Sequence, residues 1–349
     1  MQEPEISLRR VSTSALSDIA KHTPELAQHV VDAGALPFLA GMVTHDDARL
    51  KRQVCSCLAQ VAKHSVDLAE SVVETEIFPR ILACLRDADL YVRKNSATCI
   101  REIVKHSDEL AKLVVNAGGS EALVDFVMNN RGNVRLPGIM AIGYICAFSE
   151  TLAMTVQMAD GVIALKDALS HEPEDHVKAA TVWTLSQIGR HSPTLARYLS
   201  DAGVLQPMVV LHVREDSSPD LRTKAKRALK AVLVNCTDGA ALSPLLKDAN
   251  PKIQQYVLQQ YAAILPNDRA ARAAFLKTGL LARVQQIKRS ATGKVVEAIE
   301  KINAVFPPDA VKFSDPAYSV ELIRKIEEDD VMPPAGVGSG IAAAGGGGR

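Results

Sequence analysis

The sequence has few aromatic residues and no excess of charge of either sign. Phe, Trp and Tyr make up 4% of the 349 residues, and 40 basic side chains are matched by 40 acidic ones. Any core must therefore be built from Leu, Val, Ile and Ala, a composition typical of helical proteins. Because the chain has no net charge, it gives no electrostatic reason to expect nucleic acid or a membrane as a partner.

Cysteine pairs and long apolar runs are also missing. The six cysteines contain no Cys-x-x-Cys spacing, so neither a disulfide framework nor a metal site is expected. Cys55 and Cys57 are interpreted as small buried hydrophobic residues. No apolar run approaches the ~20 residues of a membrane helix, and the opening MQEPEISLRR lacks an apolar signal core. These features predict a soluble intracellular protein.

An internal repeat is the main positive feature of the sequence. The segment KHTPELA has three near copies, KHSVDLA, KHSDELA and RHSPTLA. Their histidines share one position of the repeat, which we call the anchor: His22, His64, His106 and His191. Phe148 occupies the anchor in AFSETLA, and the five anchors are separated by 42, 42, 42 and 43 residues. Because Phe replaces His once, the histidines are interpreted as structural and not as catalytic.

The pattern weakens after His191. The segment that begins with KDANPKIQQYV at Lys247 aligns without gaps with the segment at Arg86, which puts a further anchor at Asn267. The interval from 191 to 267 is 76 residues, eight fewer than two periods of 42. One repeat in this interval, the one that contains Arg222, is therefore expected to lack its first helix.

Capping residues predict three helices in each repeat, two short and one long. A hydroxyl residue follows each anchor as an expected N-cap, and acidic residues follow it in the first turn. Glycines recur twelve residues after the anchors, where a short helix has to end with a positive φ: Gly34, Gly118, Gly203 and Gly279. Ordering 42 residues costs about 60 kcal/mol, more than one repeat can recover by its own burial. The repeats must therefore stack on one another.

A three-helix unit of this length resembles the armadillo repeat, and the resemblance covers about residues 8 to 306. The segment DLYVRKNSA also has the D-x-x-V-R form of the related HEAT repeats. The predicted fold class is all-α, a right-handed armadillo superhelix. We expect a solenoid at 1–306 with an incomplete first repeat, a capping segment at 307–331 with one helix from Pro316 to about Glu327, and a disordered tail rich in Gly, Ala and Pro at 332–349.

The run KHTPELAQHVVDAGALPFLAGMV, followed by DARLKRQVCSCLAQVAKHSVDLAESVVE, is similar to the sperm-associated antigen six family of the ciliary central apparatus. The resemblance implies a scaffold without catalytic activity or cofactor, in the cytoskeleton of motile cilia and flagella, that supports beating and central-pair integrity. It implies other central-apparatus proteins, tubulin and copies of the same chain as partners. Family members have further repeats before the position of Leu8, so the first helix is expected to expose Ile19 and to fray.

Six basic residues are the best candidate for a binding surface. We call them the basic column, because five of them lie thirteen residues before an anchor and the sixth, Arg222, holds the matching place in the shortened repeat: Arg9, Lys51, Arg93, Arg135, Lys178 and Arg222. The functional interpretation is a stripe that binds an acidic strand such as a tubulin tail. Two structural interpretations remain open. One is pairing with Asp47, Asp89 and Glu174, four residues earlier on the same helices, and the other is a ladder of Asp–Arg pairs between successive repeats.

Two other functions remain as alternatives, a cargo adaptor similar to a nuclear import receptor and a general cytosolic scaffold unrelated to cilia. Import receptors of the armadillo class place Asn and Trp in columns along the third helix. Here the column four residues before the anchor contains no Asn, and the column eight before contains Trp183 alone. The adaptor is therefore the less favoured of the two, and Trp183 is interpreted as a packing residue.

Overall fold

Every regular element in the described part of the chain is a helix. The computed structural model describes residues 5–331, and the chain divides into two compact parts, Met1–Gln260 and Tyr261–Arg349. The first seven helices, up to the anchor His106, are α1 (Ile6–His22), α2 (Pro24–Asp32), α3 (Ala35–Met42), α4 (Ala48–Ala62), α5 (Val66–Val73), α6 (Phe78–Ala83) and α7 (Leu90–Val104). They are followed by α8 (Asp108–Asn116), α9 (Gly119–Asn129), α10 (Leu136–Phe148), α11 (Glu150–Met158), α12 (Gly161–His171) and α13 (Asp175–Gly189). The remaining helices that begin in the first part are α14 (Pro193–Asp201), α15 (Leu205–Val213), α16 (Pro219–Leu233), α17 (Gly239–Asp248) and α18 (Pro251–Ile264).

Five complete repeats of three helices lie in the first part, from α2–α4 to α14–α16. The third helix of each repeat packs against the third helix of the next, so that α1, α4, α7, α10, α13 and α16 form one continuous row. α1 takes the place of a third helix, contacts α2 and α4, and leaves Ile19 43% exposed. The predicted all-α fold of stacked three-helix repeats is confirmed.

The third helices are buried on two faces, because each has a neighbour on either side. On α4, Val54, Leu58 and Val61 are fully buried at the spacing expected for one face of a helix. The smaller Cys55 and Ala59 are also buried, and they allow close approach on another face. All six cysteines are free and buried, as predicted for Cys55 and Cys57. A core made of aliphatic side chains therefore runs from repeat to repeat.

Hydroxyl N-caps begin the first helix of the repeats. Thr23 Oγ1 accepts a hydrogen bond from the Leu26 N–H at 3.2 Å, and Ser107 Oγ accepts one from the Leu110 N–H at 3.2 Å. The same bond is made by Ser65, Ser149 and Ser192. These caps satisfy donors that have no partner within the helix, and the predicted N-caps are confirmed.

The turn between the first two helices of a repeat requires a residue with positive φ. Gly34, Gly118, Gly203 and Gly279 have φ of 72°, 84°, 72° and 70°. In the two repeats without this glycine, Glu76 (φ 55°) and Asp160 (φ 63°) hold the same position. An L-residue in this region costs about 1 to 2 kcal/mol, so the turn geometry is kept even where the sequence does not favour it.

Substitutions at this turn should change stability in opposite directions. Gly118→Val is expected to lower the free energy of unfolding by more than about 1 kcal/mol, since a β-branched residue is strained at positive φ even though the space around Gly118 is open. Glu76→Gly is expected to raise it by up to about 1 kcal/mol, because it relieves that strain. Thermal unfolding followed by circular dichroism measures both. Equal melting temperatures for Gly118→Val and the parent would contradict the assigned turn.

The repeat that contains Arg222 is complete, which corrects the prediction that it lacks its first helix. It consists of α14, α15 and α16, and it ends near Asn235, which takes the place of the anchor histidine. The shortened segment is the next one, which has only α17 and α18 before Asn267. Because Asn235 does not resemble the anchor motif, the sequence alone places the missing residues one repeat too early.

The second compact part contains α19 (Arg269–Lys277), α20 (Leu280–Lys288), α21 (Lys294–Asn303), α22 (Pro308–Phe313) and α23 (Pro316–Val331). Phe275 packs against Tyr261 and Phe306, with ring centroids 4.8 and 5.8 Å away. The sequence predicted one helix after residue 307, whereas α22 precedes α23 and both contact α20. A capping function for 307–331 remains a prediction, and the predicted disordered tail at 332–349 lies outside the described residues.

Candidate interaction surface

The anchor histidines join each third helix to the preceding repeat. In three repeats the anchor Nε2 donates to a main-chain carbonyl near the end of the preceding third helix, at 2.7 Å: His64 to Ala20, His106 to Ala62 and His191 to Cys146. Asn235 makes the equivalent bond, with its Nδ2 2.7 Å from the Arg190 carbonyl oxygen. His22 is exposed at the end of α1. These four residues thus each bond a different carbonyl of the chain, and the histidines do not gather around one site.

Among residues 5–331, no group of three His, Cys, Asp or Glu side chains is arranged to hold a metal ion. His106 also lies in a setting that keeps its imidazole neutral. Burial lowers the pKa of His106, although its hydrogen bond to the Ala62 carbonyl acts in the opposite direction. A neutral imidazole with Nε2 protonated is sufficient to donate this bond.

The anchor bond should contribute measurably to stability. His106→Leu is expected to lower the free energy of unfolding by about 1 to 2 kcal/mol, because the Ala62 carbonyl loses its donor. His106→Asn should lose less, since Asn235 makes the same bond in another repeat. Urea unfolding at pH 7 measures the difference. An Asn variant as unstable as the Leu variant would show that ring packing and not the hydrogen bond matters here.

Carboxylates at the start of the third helices connect successive repeats. Arg52 Nε donates to Asp89 Oδ1 at 2.8 Å and its Nη2 to Oδ2, while Arg10 Nε donates to Asp47 Oδ1 at 2.9 Å and its Nη2 to Oδ2. In each pair the arginine belongs to one third helix and the acid to the start of the next. Asp–Arg pairs between successive repeats are therefore present, but they are formed by Arg10 and Arg52, the residues that follow Arg9 and Lys51, and not by the basic column itself.

The same carboxylates are also N-caps. Asp89 Oδ1 accepts from the N–H groups of Tyr91 and Val92 at 2.9 and 3.0 Å. Hydrogen bonding from Arg52, supported by these helix donors, lowers the pKa of Asp89 to about 2. Asp47 likewise accepts from the Leu50 N–H at 2.7 Å. Pairing of Asp47 and Asp89 with Lys51 and Arg93 on their own helices is therefore wrong, because both carboxylates already face the preceding repeat.

The low pKa of Asp89 predicts an acid-dependent loss of stability. A carboxyl whose folded pKa lies below its unfolded value of about 3.9 stabilises the fold above that value and stops doing so as the pH falls towards 2. Asp89→Asn keeps an N-cap oxygen but loses the charge. The difference in unfolding free energy between the parent and Asp89→Asn should therefore be largest at neutral pH and shrink below about pH 4.

Asp125→Asn provides the matched control for this titration. The ion pair of Asp125 with Arg86 is exposed, with 52% and 71% of the two side chains accessible. Exposed pairs contribute about 0 to 1 kcal/mol, so this variant should melt close to the parent at every pH. A difference between the parent and Asp89→Asn that does not change with pH would contradict the ion pair.

Half of the basic column is occupied by contacts within the chain. The Lys51 ammonium contacts the Asp87 carboxylate, and its side chain is only 15% exposed. Arg93 Nη1 donates to the Asp87 carbonyl oxygen at 3.1 Å. Two of the predicted binding residues thus meet at the same loop between repeats.

Arg135 is the clearest departure from an exposed stripe. Its side chain has no exposed surface, and its guanidinium lies 2.9 Å from Asp167 Oδ2 and 3.1 Å from Glu172 Oε1. Glu172 in turn accepts from the Gly132 N–H at 3.0 Å. A charge buried in this way needs its partners, so Arg135 is removed from the predicted binding surface. The sequence could not indicate this, because neither acid lies near Arg135 in the chain.

The remaining members of the basic column are Arg9, Lys178 and Arg222. Arg9 and Lys178 are half-buried on α1 and α13. Arg222 lines a cavity of about 650 Å³ that we call the α16 groove, because most of its lining belongs to that helix. The groove is lined by His212, Pro219, Arg222, Thr223, Lys226, Arg227, Lys230 and Tyr256. The basic column as a partner-binding stripe thus remains a prediction, and Arg222 is the member that lines the α16 groove.

Trp183 has a packing environment on the third helices. A Cβ added to Gly143 would lie 2.2 Å from the Trp183 ring, so α10 approaches the indole closely at that glycine. The Trp183 and Tyr144 rings meet edge to face with centroids 5.2 Å apart. Asn95, on α7, donates to the Arg52 carbonyl oxygen at 3.0 Å and so belongs to the contacts between repeats.

None of the described helices is long and apolar enough to span a membrane.

Comparison with known proteins identifies the repeats. A family model described as armadillo/beta-catenin-like repeat matches residues 23–63, and a HEAT repeat model matches residues 77–107. The HEAT match contains the D-x-x-V-R segment that begins at Asp89. A designed armadillo repeat protein is 21% identical with a TM-score of 0.62, and covers 66% of this chain and 96% of its own. A second designed armadillo protein, in complex with the peptide (KR)4, is 20% identical with a TM-score of 0.63 over 66% and 95% of the two chains.

These matches and the stacked three-helix units define an armadillo-repeat protein. Sperm-associated antigen 6 of Homo sapiens is 51% identical over 163 residues, and that of Mus musculus is 50% identical over 163 residues. Each alignment covers 47% of this chain and 32% of the relative, so the chain spans about a third of the length of the curated relatives it matches. Over these 163 residues the chain is similar to sperm-associated antigen 6.

Proposed function

We propose that the protein is a structural scaffold and interaction component of the central pair of the axoneme in motile cilia and flagella. The observation that carries the proposal is the 51% identity over 163 residues with sperm-associated antigen 6, whose name refers to sperm. Sperm move by a flagellum, and an axonemal component would be expected among their proteins. The armadillo fold supports an interaction function, because stacked repeats present long surfaces for binding other proteins.

The protein would act without a catalytic step or a cofactor. The polar groups that the sequence repeats most regularly are used within the fold: the anchor hydroxyls cap helices, and the anchor histidines bond main-chain carbonyls. A scaffold of this kind has to keep its surfaces at fixed spacing. Contacts at both ends of the third helices would help to hold that spacing against bending forces in a beating axoneme.

Its partners would be other proteins of the central apparatus, tubulin of the central-pair microtubules and further copies of the chain. An acidic partner such as a tubulin tail would be attracted to cations left unpaired on the third helices, with an affinity that falls as salt is added. Such cations are present in the α16 groove.

Localisation tests the proposal directly. The full chain carrying a fluorescent tag is expected to remain with the axoneme when ciliated cells are demembranated, and cells depleted of the protein are expected to beat abnormally. A tagged protein of similar size with no ciliary association provides the control and should be washed out. A tag found throughout the cytosol would support a general scaffold, and accumulation in the nucleus a cargo adaptor; either result would overturn the axonemal assignment.

A further inference from the structure

The α16 groove is an accessible basic cavity in the first compact part of the chain. Arg222, Lys226 and Lys230 lie along α16 at intervals of four residues, so their side chains share one side of the helix. Arg227 lies beside them, and Tyr256 of α18 and His212 of α15 complete the walls. None of the described residues that line the groove is acidic. The cavity therefore concentrates four full positive charges in a chain whose basic and acidic residues balance.

These four cations differ from the basic residues that join earlier repeats. Arg10, Lys51 and Arg52 each form an ion pair with a carboxylate of the next repeat. Arg222, Lys226, Arg227 and Lys230 form no ion pair with any residue that the structure describes, whereas Lys224 on the same helix pairs with Asp220 at 2.9 Å. Like charges four residues apart destabilise a helix by a few tenths of a kcal/mol. The arrangement of the four cations is thus not explained by helix stability.

One position of the next segment departs from the ladder of the earlier repeats. In the alignment of the segments at Arg86 and Lys247, Asn250 takes the position of Asp89, the acid that pairs with Arg52. Asn250 Nδ2 donates to His212 Nε2 at 2.8 Å, and His212 Nδ1 donates to the Arg222 carbonyl oxygen at 3.0 Å. These bonds fit a neutral imidazole and fix one wall of the groove without adding negative charge. At this position a contact between an amide and an imidazole, next to the four cations, takes the place of the carboxylate that accepts from Arg52 in the earlier repeat.

The spacing of the cations matches an extended peptide. Residues four apart on a helix are separated by about 6 Å along its axis, and alternate side chains of an extended chain lie about 6.6 Å apart on one face. The Lys230 ammonium lies 5.8 Å from the centre of the Tyr256 ring, which holds one cation at the end of the row. We propose that the α16 groove binds an extended acidic peptide segment with Asp or Glu at alternate positions, aligned along Arg222, Lys226 and Lys230.

An acidic peptide fits the groove better than the other polyanions. Surfaces that bind nucleic acid belong to chains or domains with a strong positive charge, whereas this chain has 40 basic and 40 acidic residues. A flat membrane surface could not reach all four cations, because they line a concave cavity. The inference rests on the proposed function as an interaction protein and adds the chemistry and the location of one binding site.

Binding to the purified full chain tests the inference. A fluorescently labelled peptide of alternating Glu and Ser should bind, and its affinity should fall steeply as NaCl is raised from about 50 to about 300 mM. An isomeric peptide with its glutamates in one block followed by serines should bind more weakly, because only part of it can match the row. Equal affinity of the two peptides would overturn the proposed alignment, and a lack of binding to either would overturn the site.

Variants of α16 identify the groove as the binding site. Lys226→Glu together with Lys230→Glu should weaken binding of the alternating peptide by about tenfold or more, and the corresponding double Gln variant by a smaller factor. Lys224→Glu changes the same charge on the same helix outside the groove and should bind like the parent. Circular dichroism of each variant checks folding. Parent-like binding by a folded double variant would place the peptide elsewhere and overturn the proposal.

Competition distinguishes the peptide from other anions. A short single-stranded RNA and vesicles containing phosphatidylserine should displace the labelled peptide poorly at equal anion concentration. Tight binding of either one, lost in the double Glu variant, would assign the groove to that ligand and overturn the peptide proposal. Because these measurements use purified protein, they can fail while the tagged chain still localises to the axoneme, so the two proposals are tested separately.

Discussion

The fold depends on burying each third helix between the third helices of two neighbouring repeats. On α4, residues on two faces are fully buried, among them Val54, Cys55 and Leu58, and a single 42-residue unit could not bury both faces by itself. Apolar burial of this kind supplies most of the stability, but it is not directional. Aliphatic side chains tolerate small sliding of one helix along another, so burial alone does not fix how far each repeat is displaced from the next.

Polar contacts at the two ends of the third helices fix this displacement between successive repeats. At the starting end an acid caps its own helix and accepts from an arginine of the preceding repeat, as Asp89 does with Arg52. At the finishing end a histidine or Asn235 donates to the preceding repeat. The repeat with Phe148 at its anchor lacks the histidine bond, but Arg135, at the start of the same third helix, is buried against Asp167 and Glu172 of the next repeat. Successive repeats are thus joined by hydrogen bonds or ion pairs of defined geometry, although the residues that form them differ from repeat to repeat.

The sequence predicts the features that depend on neighbours along the chain. The N-caps and the positive φ after the first helix of each repeat depend on residues close together in the chain, as does the repeat period. The hydroxyl of Ser107 and the glycine at Gly118 indicate the cap and the turn directly. Glu76 and Asp160 hold the same φ without a residue type that reveals it, because tertiary packing overrides local preference there. Asn235 was missed for a related reason, since an amide can replace an imidazole as a donor without resembling it in sequence.

The candidate binding surface is harder to predict. The shared positive charge of the basic column does not show which of its residues already pair with a carboxylate of the chain. Lys51 and Arg135 hold the same position of the repeat as Arg222 and carry the same charge. Their partners, Asp87 and Asp167, lie 36 and 32 residues later in the chain, in segments that the stacking brings close. A cation already paired with a carboxylate has little to offer a partner, because a competing anion must first displace that carboxylate. The α16 groove lies where the ladder is interrupted, since Asn250 stands there in the position of the acid. In a stacked-repeat protein, binding surfaces should be sought at such interruptions, since the regular contacts are already used to hold the repeats together.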